Sequence, residues 1–239
     1  MSINVYWACL EDQWQLANEP ESVASVFYKK ELHNKNNPQS CINYCPSFNK
    51  NLNNLYTLRS LYEYEFTVGN ENVKTPYYDQ EFFDSHVSVR DFNTKFCSFK
   101  TKFIFFTKTK FIFFTDEESL NTTFYEFPFL EDNNITRRCM PVSGQFDIGK
   151  WFRNSEFAFY LKEGYDTFKI DRDEIFSYIR FHTEEKIVFK QFKMTDKLRE
   201  YNNDGFKLNF HGYLKTLENY YRSFRLKNLI LKEIKDNLL

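Results

Sequence analysis

Glycine is scarce in this chain, six among 239 residues, and alanine stands only at positions 8, 17, 24 and 158. There is no GxGxxG and no GxxxxGK followed by Ser or Thr. Both motifs need glycine so that backbone can close on a phosphate, so the common dinucleotide-binding and P-loop readings are excluded. No apolar run approaches the ~18 to 20 residues of a bilayer span. The stretch Met1 to Leu10 lacks the basic and long apolar regions of a signal peptide. The expectation is a soluble protein with no membrane span, not secreted through a signal peptide. Charge of one sign is missing too: 32 basic against 33 acidic side chains leave a net charge of -1. Phosphate neutralisation needs clustered Lys and Arg, so no nucleic-acid partner is expected.

What the chain has instead is aromatic mass. Phe occurs 29 times and Tyr 16 times, and hydrophobic residues make up 42% against 27% charged. Such a chain can bury enough apolar surface to offset chain entropy, which excludes the disordered and low-complexity classes. Phe, Tyr, Asn, Ile and Lys share AT-rich codons, so gene composition contributes to the skew. Its physical effect is to favour sheet over helix, because aromatics suit pleated surfaces and Ala suits helices.

Ile3, Val5, Trp7 and Cys9 alternate with smaller or polar residues, the period of a half-buried strand. Asn18-Glu19-Pro20 caps a short helix through about Tyr28. The stretch from His33 to Asn54, rich in Asn, Ser and Pro, reads as a long surface loop. Strands follow at Tyr62 to Val68 and His86 to Arg90, with a short helix within Tyr77 to Phe83. Lys100 to Thr107 is then repeated identically as Lys108 to Thr115. An even-numbered insertion preserves strand parity, so the duplication need not turn a sheet inside out. One unbroken strand across both copies would reach roughly 50 Å at about 3.3 Å per residue, so a turn is expected near Thr107 to Lys110. Thr122 to Leu130 is a further strand, interrupted by Pro128.

The segments Phe157 to Leu161, Thr167 to Ile170, Ile175 to Phe181 and Ile187 to Phe192 predict four strands in a meander or half of a β-sandwich. Beyond them, Leu214, Leu217, Tyr221, Phe224, Leu231 and Ile234 recur at helical spacing, predicting one long amphipathic helix over Gly212 to Leu239. The fold expected is mainly β (α+β), an antiparallel jelly-roll or sandwich-like core over 1–195, with a helical appendage over 196–239 packed on the core or on a partner. The run Phe168 to Ile175 also resembles, generically, the turn-and-strand arrangement of jelly-roll and cupin-type domains.

Tyr6-Trp7-Ala8-Cys9-Leu10-Glu11 with Trp14, Phe129-Leu130-Glu131-Asp132-Asn133-Asn134 and Phe146-Asp147-Ile148-Gly149-Lys150-Trp151-Phe152-Arg153 resemble segments of an uncharacterised protein family of tailed phages infecting marine bacteria. The resemblance implies a virus-encoded protein of the host cytoplasm or the virion. It carries over no catalytic residues.

The residues themselves offer little chemistry. The cysteines Cys9, Cys41, Cys45, Cys97 and Cys139 are odd in number and scattered, as reduced thiols are. Cys41 and Cys45 lack the second pair that zinc needs. Asp171, Asp173 and Glu174 read as a solvated turn. Trp7, Trp14 and Trp151 read as core or interface anchors, and Arg137 and Arg138 as surface residues. His182-Thr183-Glu184 places two metal-ligand types on one side of an extended segment, and His211 or His86 could supply a third. The lead expectation is a non-enzymatic structural or protein-interaction protein without a cofactor, with Tyr221, Phe224, Arg225 and Leu231 as contact residues. The alternative is a non-haem iron oxygenase of the cupin-like type, with iron held by His182, Glu184 and His211.

Overall fold

The computed structural model describes residues 1–10, 17–26, 45–68, 73–75, 81, 87–91, 103–125, 137–210 and 217–239. Fourteen strands and four named helices lie among them, and 23–26, 81 and 137–138 are helical as well. The strands are β1 (Ser2–Cys9), β2 (Glu21–Ser22), β3 (Leu55–Arg59), β4 (Tyr64–Val68), β5 (Val73–Lys74), β6 (Val87–Asp91) and β7 (Phe103–Thr115). There follow β8 (Asn121–Tyr125), β9 (Cys139–Val142), β10 (Gly144–Asp147), β11 (Asn154–Leu161), β12 (Thr167–Ile170), β13 (Ile175–Phe181) and β14 (Lys186–Gln191). The helices are α1 (Pro46–Leu52), α2 (Asp196–Phe210), α3 (Leu217–Ser223) and α4 (Lys227–Lys235).

The strands form a large sheet in the order β14-β1-β7-β11-β9 with β6 also on β7, a second sheet β10-β8-β13-β3-β2, and a small one β12-β4-β5. Pairing is antiparallel except between β1 and β14, which run parallel. The protein is thus mainly β, with several largely antiparallel sheets and helices added. The four strands β11 to β14 are present where the sequence predicts them, but they do not form a meander. β11 and β14 belong to the large sheet, β13 to the second and β12 to the small one. Each short polar turn carries the chain from one sheet to another, which suits strands that need apolar cover.

The expectation of a half-buried first strand is also corrected. Val5 and Trp7 face a core between the sheets, while Tyr6 and Ala8 face a second core on the opposite side. β1 is therefore central, and alternation in it separates two interiors.

The duplicated octapeptide does not turn at its junction. β7 runs unbroken for 13 residues, about 43 Å at 3.3 Å per residue. The reason is its partners. Along one edge the first copy pairs with β6, Thr107 opposite Val87, and the second copy pairs with β1, Phe111 opposite Cys9. Along the other edge β11 spans the junction, from Ile112 opposite Asn154 to Phe105 opposite Phe159. Three partners keep the junction in a ladder, where a turn without Gly or Asn would leave it unpaired.

Between the sheets, the Phe168 ring stacks 4.9 Å from Phe66 and 4.8 Å from Phe159. Phe111, Phe113, Ile179 and Phe181 continue this core. On the outer face of the large sheet, Tyr6, Ala8, Ile112 and Phe114 meet Leu198 of α2 and Ile230, Leu231 and Ile234 of α4. On the outer face of the second sheet, Leu55, Ile175 and Tyr178 meet Val23 and Leu52. Leu52 belongs to α1, so the region expected as an unbroken loop to Asn54 contains a helix, started by Pro46 in its first turn.

The single helix predicted over 212–239 is two helices, broken at Phe224 to Leu226. Phe224 turns inward, its ring 6.4 Å from Phe114. Arg225 donates to the carbonyls of Arg222 and Phe224, satisfying acceptors that the helix end leaves open. The break lets α3 and α4 meet different parts of the sheet. Residues 126–130 of the predicted Thr122 to Leu130 strand, and most of the Tyr77 to Phe83 helix, lie outside the described residues.

Candidate functional site

The residues singled out for iron do not share one centre among the described residues. His182 follows β13, and its Nε2 lies 2.7 Å from Thr123 Oγ1. Burial, helped by the Arg180 charge, holds its imidazole below the usual histidine range. Glu184 sits in the β13–β14 turn, exposed, on the rim of a cleft. His211 and His86 lie outside the described residues. Among the described residues no group of three or more His, Cys, Asp or Glu side chains could hold a metal ion.

The four expected contact residues make contacts within the chain. Leu231 is 9% exposed in the core under α4, and Phe224 packs beside it. The Tyr221 hydroxyl accepts the backbone N–H of Asp147 at 2.7 Å, and burial pushes its pKa up to about 12. Arg225 caps α3 as described. The acidic turn is also committed: Asp173 Oδ1 accepts from Asn18 at 2.8 Å, and Asp171 pairs with Lys169 at 3.2 Å. Trp7 lies in the core, Trp151 stacks under Arg153 at 4.7 Å, and Trp14 and Cys41 are outside the described residues.

A buried polar knot escaped the reading of the sequence. Asp147 is 3% exposed and accepts from Ser119 Oγ at 2.6 Å and from the N–H groups of Leu120 and Gly149 at 2.9 and 2.8 Å. Lys150 lies 3.5 Å from its other side. Lys227, opening α4, donates to the carbonyls of Glu117 and Gly149, and burial lowers its pKa. A side chain at Gly149 would meet the Glu117 carbonyl oxygen at 2.8 Å, so only glycine fits. Near it, Asn202 Oδ1 of α2 accepts the Asn154 N–H at 2.6 Å, and a Cβ on Gly205 would meet the Phe152 carbonyl oxygen at 2.6 Å. The Asp-Ile-Gly-Lys spacing, with its one glycine in a glycine-poor chain, was the available signal. The knot ties α3 and α4 to the sheets through Tyr221 and Lys227.

The outer face of the large sheet is open at its β9 edge. Met140 and Val142 on β9 are 44% and 42% exposed. Across the ladder they stand opposite Tyr160 and Ala158, which alternation places on the same face. Just beyond, Arg138 lies 5.7 Å over the half-exposed Tyr165 ring and is fixed by a 2.6 Å bond to Thr167 Oγ1. The Lys162 N–H bonds the Arg138 carbonyl at 2.7 Å. By alternation the outward-facing backbone positions of β9 are then 139 and 141. Pro141 has no N–H to offer there, which blunts the edge against strand addition and leaves the face as the accessible surface.

Among the described residues no helix is long and apolar enough to cross a membrane. Comparison of the chain with protein-family models, with curated proteins and with solved structures finds no match.

Proposed function

We propose that this chain is a non-enzymatic structural or interaction protein that acts by contact with another protein chain, a further copy of itself included. The phage origin implied by the sequence resemblance belongs to the same proposal, as does a place in the virion. The observation that carries the reading is the open β9–β11 face. It brings Met140, Val142 and Tyr160 together beside the Arg138–Tyr165 pair, and Met, Tyr and Arg are types enriched at interfaces. A solvent-facing apolar cluster on a sheet whose outer face is helix-covered over β1 and the second copy of the repeat is best explained by a partner. The passage of β7 to β11 back and forth between the two larger sheets supports a jelly-roll-like reading of the core, a scaffold found in assembly proteins and enzymes alike.

The test is sedimentation velocity across a concentration series, on the chain alone and with its co-purifying proteins. Wild type should associate, and Met140→Asp with Val142→Asp should lose association while keeping its circular dichroism and melting temperature. Association unchanged in the double variant would refute the assignment of this face.

A further inference from the structure

A cleft of about 460 Å³ opens between α1, β3 and the β13–β14 turn. Its walls are bolted together. Arg180 of β13 donates to the carbonyls of Asn51 and Asn53, tying down the end of α1. Asn54, held at φ 50, donates through Nδ2 to the carbonyls of Thr183 and Glu185 at 2.7 and 2.8 Å. Glu184, the residue between those two carbonyls, is thereby fixed at the rim. The apolar floor is Leu52, 1% exposed in the core cluster it shares with Ile175.

Lys50, Glu184 and Lys186 line this fixed space, with Asn49, Asn53 and Ser22 beside them. None of the three charged side chains makes an ion pair with another described residue. On the helical side of the molecule, by contrast, Lys197 reaches Glu233 at 3.2 Å. Opposite charges that share one rigid cleft and do not reach each other leave both signs available to a third body. The volume falls within the roughly 300 to 1,000 Å³ of small-molecule sites.

We propose that this cleft binds a free acidic amino acid, a small zwitterion with two carboxylates and one ammonium. Lys50 and Lys186 take the two carboxylates and Glu184 takes the ammonium. The neighbouring amides and the Ser22 hydroxyl supply further hydrogen bonds. The charge of the three side chains, two positive and one negative, is the complement of the ligand's. This site is separate from the β9–β11 face, and either can fail without the other.

Isothermal titration calorimetry at low ionic strength with L-glutamate tests it, with glutarate as the probe that lacks the ammonium. Glutamate should saturate one site per chain, and Lys186→Gln and Glu184→Gln should each weaken it about tenfold or more, the size of one charge-assisted hydrogen bond. Glutarate should bind wild type more weakly than glutamate, and Glu184→Gln should narrow that gap. All three side chains are exposed, so the variants should fold, which circular dichroism verifies. No saturable glutamate binding at about 10 mM, well above a millimolar Kd, would overturn the proposal. So would glutamate binding untouched by both substitutions, or glutarate binding as tightly as glutamate.

Discussion

The outer face of the large sheet has two halves with different fates. Over β1 and the second copy of the repeat, it is closed by the chain's own helices: Ile230, Leu231 and Ile234 lie on Tyr6, Ala8, Ile112 and Phe114. Over β9 and β11, Met140 and Val142 stand nearly half exposed. Both halves come from the same alternating pattern, so the pattern alone cannot say which half is interior. What decides is the polar anchoring. The Asp147 side chain fixes the backbone at Leu120 and Gly149, beside which Tyr221 and Lys227 dock, and Asn202 takes the Asn154 N–H, so α3, α4 and α2 are held there. The difference teaches that apolar helix faces supply the driving force for cover, while buried polar contacts choose the place.

The largest effect should follow from removing the anchor. Asp147→Ala strands the N–H groups of Leu120 and Gly149 and should cost about 3 to 5 kcal/mol, read by denaturant unfolding. If the helices stayed docked at wild-type stability, the anchoring account would fail. Ile234→Ala should cost about 2 to 5 kcal/mol as a buried large-to-small change, whereas Val142→Ala on the open half should stay within about 0.5 kcal/mol. Similar losses at the two sites would erase the distinction between the halves.

The duplication offers a sharper cut along the same sheet. Deleting Lys108 to Thr115 places the identical first copy against β1 in unchanged parity. The variant should fold with α4 docked while losing the β6 ladder. Deleting seven residues reverses the parity and should abolish folding. Equal behaviour of the two deletions, by circular dichroism and solubility, would refute the parity argument.

The smallest effect lies in alkaline titration. The hydroxyls of Tyr6 and Tyr221, both at the covered half, are pushed up to about 12 chiefly by burial, Tyr6 also by Asp116. The unfolded chain releases these protons near pH 10, earlier than the folded one, so the folded state binds more protons in this window. Stability is therefore full below pH 10 and falls as pH rises from 10 toward 12. A Tyr6→Phe, Tyr221→Phe variant should show a flatter decline over that window.

Strand content, the first strand and the four late strands were legible because they rest on period-two patterns of aromatic and aliphatic residues. Sheet membership was not. Nothing local in Thr167–Ile170 says that it pairs with β4 while its neighbour β11 pairs with β7. The helix break at Phe224 was hidden because Phe224 keeps the apolar spacing on both sides. Of the candidate sites, Glu184 was legible as a ligand type, but its setting depends on Asn54, 130 residues away in sequence. The β9 face was invisible for a similar reason: no strand was predicted at Cys139–Val142, and only the register with β11 shows which side Met140 and Val142 face.

Site-specific photo-crosslinking tests the division between the halves most directly, with the photoreactive residue placed at Val142 or at Ile230 of the otherwise unaltered chain. The account predicts crosslinks to a second protein chain from position 142 and only intrachain crosslinks to the β1–β7 region from position 230. Intermolecular crosslinks from position 230, or none from position 142, would contradict it.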